Sequence, residues 1–276
     1  MLELICAATG AGNDGAALDA AIGFAAAHGM RLVVAIPSPI PTPMTSPWGV
    51  TADTVLTEMF AMVEREAAAR AEALRERLGR ADVTWEVRID EPRFVDPAIA
   101  FAQQARYADL SILGKPEGND ASIGHAYFSA ALFESGRPVL VVPTRKYEAK
   151  RTRRIVVAWK PAREATRAIH DAIALFKPEA VDIVVVDPAQ GPGAHGPDPG
   201  ADIAAHLARR GQSVTVTPLP SAGNRVAGAV LLHATQTGAD MVVAGGYGHA
   251  RLREWALGGA TRDLLEGLAM PVLFSH

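Results

Sequence analysis

The sequence predicts an α/β protein built from two doubly wound parallel sheets in tandem. Short continuous apolar runs rich in valine and isoleucine alternate with segments of helical length. Such runs are characteristic of strands buried on both faces of a parallel sheet, with helices as right-handed crossovers. The alternation strand, helix, strand, helix, strand, helix, strand, helix, strand occurs twice, once on each side of residues 145–154. The length of 276 residues, 49% hydrophobic and 21% charged, suits two domains of about 100–150 residues each.

In the first half, Leu4–Ala8 is the opening strand and Asp14–Gly29 a small-residue helix. Arg31–Ile36 is the second strand. Asp53–Gly79 is the longest crossover helix, amphipathic, with Leu56, Phe60, Met62 and Val63 as its apolar stripe. The phrase Tyr107–Gly114 (YADLSILG) follows, and the proline-led strand Pro138–Val142 closes the half. The second half repeats this plan. Ile155–Trp159 is its opening strand, Arg163–Phe176 its first helix and Asp182–Val186 its second strand. Gly238–Gly245 (GADMVVAG) matches the earlier phrase, and Pro271–Phe274 closes the chain. The turn-rich segment Gly191–Gly200 is a loop, mobile or lid-forming.

Charge is uneven. Residues 1–144 carry 11 Lys+Arg against 18 Asp+Glu, residues 145–154 carry 6 against 1, and residues 155–276 carry 10 against 11. The basic stretch is expected to be a solvated linker; it lacks the aromatic or glycine-rich pattern of a nucleic-acid patch. The net charge of −3 gives no general attraction to nucleic acid or anionic lipid. No apolar run reaches the ~18 residues of a membrane span, and the N-terminus lacks a signal-peptide pattern. The single Cys6 lies in an apolar run and is expected to be a core residue in a reducing, cytoplasmic setting.

The chemistry-bearing segment is Gly245-Gly-Tyr-Gly248, nine residues, then Gly258-Gly-Ala-Thr261 and a helix from Arg262. Glycines let backbone N–H groups approach a ligand, and a helix N-terminus presents unpaired N–H groups and partial positive charge. Together they suit an anion such as phosphate, and Arg251 and Arg253 in the intervening loop are within reach of one. The spacing is neither that of a P-loop nor that of the dinucleotide G-x-G-x-x-G.

It resembles the Gly-x2-Gly-x9-Gly-Ser/Thr loop of the universal stress protein family, with Gly245, Gly248 and Gly258 as the three glycines. The phrase at 238–245 and the proline-led last strand also match that family. Gly200–Arg209 looks like the second helix of its tandem bacterial members. The resemblance covers 152–276 strongly and 1–144 loosely. It implies two five-stranded sheets of order 3-2-1-4-5 and ATP or another adenine nucleotide at the switch point. Gly245, Gly248, Gly258 and Gly259 would hold phosphates, and Val186 with Asp187 would line adenine and ribose. It also implies a pseudo-dimer within the chain through strand 5 of each domain. Association of two chains into a further homo-oligomer stays open.

Three departures stand out. Gly259 replaces the family's Ser/Thr, with Thr261 two residues on. Lys160 stands where ATP-binding members carry an aspartate, either contacting phosphate or marking a different anion. In the first half, Lys115-Pro-Glu-Gly118 breaks the glycine spacing, so this domain is not expected to bind nucleotide. Its Thr9-Gly-Ala-Gly12 turn is a plain strand–helix turn or a small-anion cradle.

The other candidates carry less. His249 follows Gly248, and Trp159 and Trp255 flank the loop in sequence. His125, His195, His206 and His276 are scattered, with no metal-ligand spacing. Ser129, Ser221 and Ser275 sit in no nucleophile elbow, so no catalytic residue is assigned. Three functions follow: nucleotide-binding regulator without turnover, non-binding interaction module, and weak ATPase.

Overall fold

The computed structural model describes residues 1–38, 45–46, 49–50, 53–90, 95–144, 147–188, 198–223, 225–246 and 259–276. The first half runs β1 (Glu3–Ala7), α1 (Asp14–His28), β2 (Arg31–Pro37), a small hairpin of β3 (Thr45–Ser46) and β4 (Gly49–Val50), α2 (Asp53–Leu78), β5 (Trp85–Asp90), α3 (Pro97–Ala105), β6 (Leu110–Gly114), α4 (Ala121–Glu134) and β7 (Val139–Val142). The second runs β8 (Arg154–Ala158), α5 (Arg163–Phe176), β9 (Ala180–Val186), α6 (Ala201–Arg209), β10 (Val214–Leu219), α7 (Val226–Gln236), β11 (Met241–Gly245), α8 (Gly259–Glu266) and β12 (Val272–Ser275).

The large sheet has the order β10-β9-β8-β11-β12-β7-β6-β1-β2-β5. Each half is therefore 3-2-1-4-5 in its own strands, all parallel. The halves meet where β12 pairs antiparallel with β7, Leu273 opposite Leu140 and Phe274 opposite Val139. Each strand would otherwise be an open edge, and the pairing satisfies its backbone groups.

One face of the sheet carries α1, α2, α5 and α6 through a core that includes Phe24, Leu78, Ile169 and Leu207. The other carries α3, α4, α7 and α8 through Phe101, Phe128, Val230 and Leu264. Both cores run through both halves. Cys6 is buried on the first face, and burial pushes its thiol pKa up, so it is an inert core residue. Buried Asp182 in β9 accepts hydrogen bonds from Thr217 Oγ1 (2.8 Å) and His233 Nε2 (2.6 Å).

Two sequence expectations change. On α2 the buried stripe continues through Ala67, Ala71 and Leu78, whereas Met62 is exposed. Its position is out of phase with the face that meets the sheet. The basic stretch is more than a solvated linker. Tyr147 stacks on Phe24 (centroids 6.1 Å apart), and Thr152 is buried. A Cβ on Gly23 would lie 2.7 Å from Ala149 Cβ, so the segment is pressed onto α1. His28 joins this cluster between the halves, edge-on to Phe176 at 5.2 Å. Burial and nearby Arg151 hold its imidazole below its usual pKa.

The repeated phrase has a mechanical reason. Asp109 Oδ2 accepts the backbone N–H of Glu3 (2.9 Å), at the start of β1. Asp240 Oδ2 accepts those of Arg153 (2.8 Å) and Arg154 (2.9 Å), at the start of β8. In each half this carboxylate pins the first strand beside the fourth. Burial pushes the Asp240 carboxyl up, but those two N–H groups and Lys150 pull it further down, below its usual 3.8. Its contribution is therefore present above pH 3.8 and lost as pH falls through the lower folded value. Asp240→Ala is expected to cost about 2 kcal/mol in urea melts at neutral pH by removing two hydrogen bonds to a charged acceptor. The difference from wild type should shrink in melts at acid pH.

Candidate functional site

β9, β8 and β11 are neighbours, and Ala158 of β8 lies between Val184 of β9 and Ala244 of β11. Their carboxyl ends form one edge at the switch point, where open α/β sheets bind ligands. Lys160, Val186, Asp187 and Gly245 all reach that edge.

Beyond β8, the Trp159 N–H donates to Val184 O (2.8 Å), and Lys160 O accepts from the Ala162 N–H (2.7 Å) in the turn into α5. Lys160 is exposed. Val186 is half-buried at the end of β9. Asp187 has φ 45°, a left-handed conformation that aspartate tolerates. Its N–H donates to Leu219 O (2.9 Å), and its carboxylate accepts the N–H of Ser221 (2.9 Å); hydrogen bonding from the Ser221 side chain, and then from that N–H, holds its pKa below the usual value.

Gly245 is required by packing. A Cβ there would lie 2.6 Å from Ala165 N and 2.8 Å from Glu164 C, in the first turn of α5. Gly114 plays the same part in the first half, where a Cβ would meet Asn13 O at 3.0 Å. Gly246 is held by Ser275 O, which accepts its N–H (2.8 Å), and its carbonyl accepts from His276 Nδ1 (2.9 Å). A Cβ on Gly246 would lie 2.7 Å from Leu132 Cδ2, so α4 of the first half abuts the start of the glycine loop. Gly248, His249, Arg251, Arg253, Trp255 and Gly258 lie outside the described residues, as does most of the Gly191–Gly200 segment.

α8 begins at Gly259 rather than Arg262. A Cβ on Gly259 would meet open space, and Thr261 is buried in the first turn.

Glu164 was not singled out by sequence. It is buried in the first turn of α5 beside Gly245, and Arg163 Nε donates to its Oε1 (2.9 Å). Burial pushes its carboxyl up, but its own backbone N–H, Arg163 and His276 outweigh that, and its pKa is lowered. The available signal was an acidic residue opening a helix, where the dipole favours it.

The equivalent turn of the first half is filled from within. Asp14 Oδ2 accepts the N–H of Gly10 (2.6 Å), and Oδ1 the hydroxyl of Thr9 (3.0 Å). Thr9 Oγ1 accepts the N–H of Ala11 (3.1 Å), and Asp120 Oδ2 that of Gly12 (3.0 Å). Burial pushes the Asp14 carboxyl up, against the opposing pull of Gly10, Thr9 and Arg70. These carboxylates take the donors that the Thr9–Gly12 turn would offer an outside anion.

No family profile and no curated protein matches the chain. Among solved structures, the chain is similar to a universal stress protein from Archaeoglobus fulgidus DSM 4304, at 17% identity and a TM-score of 0.70, over 99% of this chain and 95% of that one. It is also similar to a functionally unknown protein from Pseudomonas aeruginosa PAO1, at 15% identity and a TM-score of 0.51, over 99% and 92%. The first likeness spans both halves and the seam between them, and the chain thus has the universal stress protein fold.

Proposed function

We propose that the chain is a regulatory protein of the universal stress type that binds an adenine nucleotide, ATP or a relative, in its second half without turning it over. The observation that carries this reading is the asymmetry between equivalent turns. In the first half Asp14 and Asp120 occupy the backbone donors, whereas the turn after β8 carries an exposed lysine. On this reading Lys160 meets a phosphate, and Val186 and Asp187 border the adenine and ribose. The backbones of Gly245, Gly248, Gly258 and Gly259 surround the phosphates, with Arg251 and Thr261 as further contacts. Residues 1–144 and 152–276 are then one domain written twice, a pseudo-dimer in a single cytoplasmic chain. Only the second copy keeps a working site.

A second reading, a non-binding interaction module, is favoured by one observation. The buried Glu164 carboxylate beside Gly245 places negative charge near the phosphates. Calorimetry with ATP, ADP, AMP and cyclic nucleotides separates the two, with phosphate release followed in the same samples. The first reading expects one nucleotide per chain, no release above blank, and affinity about tenfold weaker in Lys160→Ala. Absence of binding by every nucleotide supports the second reading, and steady release supports an ATPase.

A further inference from the structure

Helices α5 and α6 lie on the same face of the sheet, and each turns one histidine toward the other. His170 Nε2 and His206 Nε2 are 3.4 Å apart, with ring centroids 5.5 Å apart and planes inclined by 51°. Both rings are half-buried. His170 Nδ1 is 2.8 Å from Thr166 O. A carbonyl only accepts, so Nδ1 carries the proton and donates it there. The lone pair of His170 is thereby left on Nε2, facing His206. A backbone carbonyl that fixes the tautomer in this way is the usual outer partner of a metal-binding histidine.

The separation points the same way. Ordinary N–H donor bonds span about 2.7–3.2 Å, and 3.4 Å is beyond them. Two imidazole nitrogens bound at about 2.05 Å to one tetrahedral ion stand about 3.3 Å apart. Beside His170 is a cavity of about 190 Å³ that Leu207, Arg210 and Gln212 also line. Gln212 Oε1 is buried without a hydrogen-bond partner. No group of three or more His, Cys, Asp or Glu at metal-binding spacing occurs among the described residues. The protein ligands are therefore two neutral imidazoles. Water or an anion, the latter favoured by Arg210, completes the shell.

We propose that His170 and His206 form a two-histidine site for an imidazole-seeking divalent ion of the zinc class, clipping α5 to α6. Two neutral nitrogen ligands suit zinc, copper(II) or nickel, and not magnesium or calcium, which take oxygen. The 3.4 Å spacing matches a tetrahedral ion such as zinc.

The test is zinc chloride titration of the full chain after chelator treatment, read by thermal melts. At ten times Kd, Tm should rise by about 3 °C in the wild type. The rise should vanish in His170→Ala and in His206→Ala and persist in His125→Ala. His206→Gln, which keeps a polar side chain of similar reach, should also lose it while retaining wild-type circular dichroism. Cobalt(II) in place of zinc should show the intense visible absorption of tetrahedral coordination, again lost in His206→Gln. The proposal is overturned by absence of a shift in the wild type, or by a shift of equal size in either His170→Ala or His206→Gln. The pair is then an ordinary imidazole contact.

Discussion

Phe274→Ala is expected to lower the unfolding free energy by about 3–5 kcal/mol. Phe274 is fully buried in β12, opposite Val139 of β7, where the two halves of the sheet join. Its ring meets Phe128 of α4 edge-on, centroids 5.3 Å apart and planes at 78°. Truncation removes the apolar contact and leaves a void between a strand of one half and a helix of the other. Both are held by further packing, so little collapse can fill it. Urea denaturation followed by fluorescence and by circular dichroism measures the loss. A loss under 1 kcal/mol would mean that the seam repacks freely or that Phe274 does not sit in it.

The second large effect is expected at Gly245. Gly245→Ala should cost about 3 kcal/mol, because the added Cβ meets backbone atoms of Glu164 and Ala165 at under 3 Å. Backbone cannot rotate away as a side-chain tip can, so α5 must move off β11. Gly114→Ala should cost about half as much, since its nearest contact, Asn13 O at 3.0 Å, is looser. Urea melts of the two variants check the ranking. Equal costs, or none at Gly245, would remove the packing explanation. Nucleotide affinity should be read alongside, because a shifted α5 also moves the turn that carries Lys160.

These two glycines bear on what was legible beforehand. The resemblance assigns Gly245 to phosphate binding. The structure gives it a packing role as well, shared with Gly114 in the half whose loop lacks the glycine spacing. Asp109 and Asp240 belong to the same repeated phrase, and their part in pinning β1 and β8 becomes evident only once the first and fourth strands are adjacent. Lys160, Val186 and Asp187 were legible as site candidates only through the family resemblance, and they share one edge because a parallel sheet sends the carboxyl ends of neighbouring strands there. Glu164 was not, because an acidic residue in a first helical turn is ordinary until the strand beside it is known.

Strand and helix alternation, the doubling of the plan and the burial of Cys6 follow from local composition and periodicity, which act over a few residues at a time. The apolar runs of β1, β2, β8 and β9 admit little besides central parallel strands. What a residue meets across the fold depends on helix phase and on which strands lie side by side, and short-range pattern does not encode either. Asp120 reaches Gly12 from 108 positions away, and Leu132 abuts Gly246 from the other half. His170 and His206 look scattered along the chain, yet stand 3.4 Å apart because α5 and α6 cover the same face of one sheet.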